Sequence, residues 1–81
     1  MKYANIEYMD NTKNYKSPVD ILIEEFGGIR PLARAVGRNS GSIWKWSKSG
    51  LVPSNMQQKV LTVCWDKDLN VTPHDIIFGR N

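Results

Sequence analysis

From residue 17 onward, apolar residues come in short bursts at helical spacing, and no segment shows convincing strand character. Ser17-Pro18-Val19-Asp20 opens the first burst with a hydroxyl cap, a proline at the first helical position and an acid in the first turn. Val19, Leu22, Ile23 and Phe26 then follow the i, i+3, i+4, i+7 pattern of one buried stripe, and Gly27-Gly28 stop the helix. A second helix is expected from about Pro31 to Val36, with Leu32, Ala33 and Val36 inward. A third begins after Asn39, a good cap, and runs to about Lys48 before Ser49-Gly50 close it. Leu51-Val52-Pro53-Ser54 leads into a fourth, where Met56, Val60, Val63 and Cys64 recur on one face with Leu61 beside them. Trp65 follows that last apolar turn and is expected in the core, with a dimer interface as the alternative. Thr72-Pro73-His74-Asp75 repeats the hydroxyl-Pro-x-Asp start and announces a short fifth helix through Ile76, Ile77 and Phe78. Those three residues either fold back on the core or make a symmetric contact between two copies.

The pattern predicts an all-α, compact five-helix domain over residues 17–81, preceded by an N-terminal arm over 1–16. The arm is polar and has no sustained period. Two readings of it stay open: a frayed, flexible terminus, or an arm that touches DNA or clasps a second copy through Lys2, Lys13 and Lys16.

The segment Ile29–Trp46 has the spacing of two short helices crossing at a tight turn. Ala33 is small enough for a close crossing, and Gly37, four residues later, reaches the left-handed region cheaply. Ile43 and Trp46, three apart, share one face and anchor the second helix of the pair. Its other face carries Ser40, Gly41, Trp44, Lys45 and Lys48, which stay free to meet something outside.

Charge sharpens that reading. The formal net charge is only +3, but all 8 acidic residues lie outside the stretch between Phe26 and Trp65. Arg30, Arg34, Arg38, Lys45, Lys48 and Lys59 all lie inside it. A basic block coinciding with a helix-turn-helix spacing suits the phosphate backbone of nucleic acid. Other chemistries find little support. One cysteine and one histidine build neither a disulfide framework nor a recognisable zinc site, and no phosphate loop or dinucleotide fingerprint is present. The expectation is therefore a non-enzyme with no cofactor, no metal and no small-molecule ligand. The first residues lack a signal-peptide core and no apolar run could span a bilayer, so a cytoplasmic, membrane-free protein is expected.

Phe26-Gly27-Gly28-x-x-x-Leu32-Ala33-x-Ala35-Val36-Gly37, then Ile43-x-x-Trp46 and Val52-Pro53, resembles the Cro/cI-type helix-turn-helix family of phage and bacterial regulators. The likeness covers about residues 18–79 and is greatest to all-helical Cro repressors. YdaS-type antitoxins share it, including the late Val71-Thr72-Pro73-His74-Asp75. The resemblance implies a sequence-specific double-stranded DNA-binding transcriptional regulator, a phage or prophage repressor that occupies an operator. It places Ser40, Gly41, Trp44 and Lys45 toward base edges, within a DNA-binding set that also includes Ser42. Asn39 and Lys48 would reach phosphate or a flanking base, with Arg30, Arg34 and Arg38 around the backbone and free N–H groups near Arg30 and Leu32 on a phosphate.

Repressors of this type bind half-sites about one DNA turn, ~34 Å, apart, which implies a weak homodimer completed on DNA. The chain departs from the family at Arg38, where an apolar residue is usual, and there the stem is expected to cover the core while the guanidinium points outward. It departs again at Gly41 and Trp44, which leave few side chains for direct base readout. The alternative is a protein-interaction module, such as an antitoxin holding a toxin or host protein through Trp44 and the apolar tail.

Overall fold

The computed structural model describes residues 15–81. Among them are five helices: α1 (Pro18–Phe26), α2 (Ile29–Val36), α3 (Ser40–Ser49), α4 (Ser54–Asp66) and α5 (Pro73–Phe78). None is long and apolar enough to cross a membrane. Helices of 6 to 13 residues are marginal alone in water, so tertiary burial must hold them. That burial is one shared cluster to which every helix contributes: Val19, Ile21 and Leu22 from α1, Leu32, Ala33 and Val36 from α2, Ile43 and Trp46 from α3, Met56, Val60 and Cys64 from α4, and Ile76 from α5. Val52 and Val71 close it from the connecting segments.

The helix starts follow their sequence signals. Ser17 Oγ accepts from the Asp20 N–H and Asn39 Oδ1 from the Ser42 N–H, while Thr72 and Asp75 form a reciprocal capping box. Gly37 ends α2 at φ 74°, the left-handed conformation that the tight turn requires. Helix α2 starts earlier than its apolar pattern indicates, at Ile29 rather than Pro31. Pro31 sits in the first turn, where a missing N–H leaves no helical bond unmade.

The cluster is drawn differently from the sequence pattern in three places. Ile21 is buried, whereas Ile23 and Phe26 only pack against the edge, because α1 contacts α2, α3 and α5 and so buries a wider arc than a single stripe. On α4 the buried line is Met56, Val60 and Cys64, and Val63 is partly exposed. Trp65, expected in the core, is 55% exposed. It lies one position past the buried line, and its indole Nε1–H donates instead to the Val71 carbonyl at 3.2 Å. Of the tail residues only Ile76 is buried; Ile77 and Phe78 face outward.

The chain ends also pair. Lys16 and Arg80 exchange backbone hydrogen bonds of 2.7 and 2.9 Å, and Tyr15 donates its hydroxyl to the Phe78 carbonyl. Residues 15 and 16 therefore join the helical body, while the rest of the arm lies outside the described residues. Gly79 makes the pairing possible: a Cβ there would overlap the Lys16 carbonyl and the Tyr15 hydroxyl, and its φ is 79°. Arg80 then reaches back to the buried Asp75 carboxylate and to the Asn70 carbonyl. Arg80 holds the Asp75 carboxyl below its ordinary value, opposed by burial and helped by the Thr72 N–H.

Asp75→Ala is expected to destabilise the fold by about 2 kcal/mol at neutral pH, because it removes the carboxylate half of the capping box and the ionic partner of the Arg80 guanidinium. A carboxyl with a depressed folded-state pKa stabilises fully above its unfolded value and loses that contribution as pH falls through the folded one. Urea unfolding should thus show the gap between native and variant closing below about pH 4.

Candidate nucleic-acid interface

The α2–turn–α3 unit presents a face whose charge is unbalanced by design of the sequence and by the fold. Among the described residues the two ion pairs, Lys16–Glu24 and Arg80–Asp75, both lie outside the acid-free block. Arg30, Arg34, Arg38, Lys45, Lys48 and Lys59 make no salt bridge to a described carboxylate, and all six are exposed. Helix termini add to this. α1 and α5 carry Asp20 and Asp75 in their first turns, but α2 and α3 carry no acid there. The positive ends of α2 and α3 thus carry no acid of their own first turn.

Ile43 and Trp46 are the buried side chains of α3, and most of its other side chains are exposed among the described residues. Asn39, Ser40, Gly41, Trp44, Lys45 and Lys48 are all exposed, and Ser42 is half-buried. Trp44 is 56% exposed, and the Lys48 ammonium lies 5.7 Å from the centroid of its ring, one turn along the helix. The backbone beneath is reinforced where Ser47 Oγ donates to the Trp44 carbonyl at 2.6 Å. Asn39 has a structural duty: its Oδ1 accepts from the Ser42 N–H at 2.8 Å, which fixes the side chain and leaves its amide N–H₂ without a partner among the described residues. Gly41 stands directly beside this cap. A Cβ at that position would lie 3.3 Å from Asn39 Oδ1, so the missing side chain both opens the face and gives the cap room.

Two further positions differ from the sequence expectation. The Arg38 guanidinium turns back toward α4, its Nη2 donating to Met56 Sδ at 3.2 Å. Met56 is buried, so the arginine covers the core with its head as well as its stem. The Leu32 N–H is not free either, since it donates to the Gly28 carbonyl. With no side-chain cap on α2 and no N–H on Pro31, the unclaimed donors of that first turn belong to Ile29 and Arg30.

Lys59 is the cation that motif-based reading leaves out. It stands on α4, yet its Nζ comes within 3.3 Å of where a Gly37 Cβ would be, at the C-terminal end of α2. Only its place in the acid-free block hinted at this, since the fold brings α4 against α2. Elsewhere, Cys64 is fully buried, and burial pushes its thiol up to about 11, which leaves it a protonated core residue. Compared with known proteins, the chain matches no family model, no curated protein and no solved structure.

The Asn39 cap and Gly41 should be energetically coupled. Asn39→Ala is expected to lower stability by about 1 kcal/mol. Gly41→Ala should stabilise more in the Asn39→Ala background than in the native chain, because the crowded oxygen is gone. A double-mutant cycle by urea unfolding checks this, and additive effects would refute it.

Proposed function

We propose that this chain is a sequence-specific double-stranded DNA-binding transcriptional regulator, a helix-turn-helix repressor of the Cro kind that occupies an operator. The observation that carries the proposal is the set of cations that, among the described residues, have no carboxylate partner, together with the exposed outer face of α3. Phosphate oxygens are the extended, regularly spaced anions that such a surface fits, and releasing their counterions supplies the affinity. In this reading Arg30, Arg34, Lys48 and Lys59 hold the backbone, with the Ile29 and Arg30 N–H groups at the start of α2 on one phosphate. Lys45 takes a guanine edge, and Ser40 and Trp44 face neighbouring base pairs. Arg38 serves the core first. Few of these side chains read bases, so groove shape and DNA deformability supply much of the discrimination. Two copies bind successive half-sites as a weak homodimer completed on the DNA.

The exposed Trp44 also supports a second reading, in which the same face holds a toxin or host protein. Salt separates the two. For duplex binding, affinity should fall steeply between ~50 and 200 mM salt, by the counterions that four to six phosphate contacts release; binding to a protein partner with no salt-sensitive duplex binding would favour the second.

Residue roles are separable as well. Lys45→Ala is expected to reduce discrimination between operator and random duplex by about 1–3 kcal/mol. Arg34→Ala should instead weaken both nearly equally. Titrations of both variants on selected and random duplexes check this, and equal behaviour of the two would move the reading face elsewhere.

A further inference from the structure

The three tryptophans have different fates. Trp46 is in the core, and Trp65 is tied through its indole N–H to the Val71 carbonyl. Trp44 has neither attachment: it is 56% exposed, and among the described residues its indole N–H makes no hydrogen bond. So large an apolar group held in water on a cationic face, in a helix whose buried side chains are Ile43 and Trp46, has no structural purpose visible in the fold. Resting on the duplex-binding reading above, we propose that Trp44 is a specificity-determining residue that selects thymine by enclosing its C5-methyl group.

Three features converge on that chemistry. The thymine methyl is the apolar group on the floor of the major groove, so it is the natural partner of an apolar reader there. Gly41 lies one turn before Trp44 on the same face and contributes no side chain to stand between indole and base. Lys48 holds its ammonium over the indole, which restrains the ring before binding and carries a charge toward the backbone beside it. The indole is thus presented as a partly fixed apolar wall with an open space beside it.

The test changes one methyl group at a time. Duplexes selected from a random pool by the native chain are resynthesised with deoxyuridine replacing single thymines, and binding is titrated for the native chain, Trp44→Ala and Trp44→Phe. At one position per half-site the substitution should weaken native binding by about three- to fivefold, the worth of one buried methyl. Trp44→Ala should bind the thymine and uracil forms alike, and Trp44→Phe should keep part of the preference. Circular dichroism confirms that both variants are folded, as expected for an exposed position. Tight duplex binding with no sensitive position overturns the methyl assignment and leaves the DNA reading standing, as does a preference that survives in Trp44→Ala. Failure to select any duplex overturns both.

Discussion

Two side chains, Ile43 and Trp46, dock α3 onto the body of the protein, and the candidate interface depends on them. They lie on one side of a ten-residue helix, so their burial fixes which residues point away as firmly as it fixes which point in. The rest of the fold prepares a socket for them. Leu32, Ala33 and Val36 form one wall, Met56 and Val60 join the same cluster, and Gly37 turns the chain tightly enough for α3 to reach it. Removing apolar surface at either anchor would loosen the face by loosening its support, without touching a residue of the face itself.

Electrostatics works on the same division. Acids sit in the first turns of α1 and α5, Glu24 pairs with Lys16 and Asp75 with Arg80, and the acids as a whole are confined to the chain outside the central block. Within the block there is no acid, and among the described residues its cations make no ion pair, Arg38 alone turning back onto Met56. Solvated cations are cheap for folding and valuable for association with a polyanion, because their counterions are released only on binding. The modest net charge of +3 conceals this arrangement.

Much of the fold was legible from local rules. Caps at Ser17, Asn39 and Thr72, the left-handed Gly37 and the anchors Ile43 and Trp46 are short-range effects, and each falls where its spacing indicates. What escaped were consequences of three-dimensional neighbourhood. Ile21 is buried because three helices surround α1, and Trp65 is outside because the α4 line ends at Cys64. Arg38 lies against Met56, 18 residues away, and Lys59 approaches Gly37 from another helix. A periodicity sees one helix at a time; these contacts need two. The candidate face shows the same limit: its membership followed from the spacing, but the capping duty of Asn39 and the placement of Lys48 over Trp44 are properties of folded side chains.

The pairing of Lys16 with Arg80 has a bearing on how the domain comes into being. Neighbouring helices such as α2 and α3 close short loops and can meet early. The strand-like contact between residues 16 and 80, with Tyr15 on the Phe78 carbonyl 63 residues away, closes a loop around the whole helical body. Such a contact carries a larger loop-closure cost than any helix–helix turn in the domain, a cost that falls once the intervening helices have shortened the distance to span. During synthesis, α1 therefore emerges first and waits longest for its final partner. Until Arg80 leaves the ribosome, the Asp75 carboxylate lacks its cation and the first helix lacks the segment that seals its end.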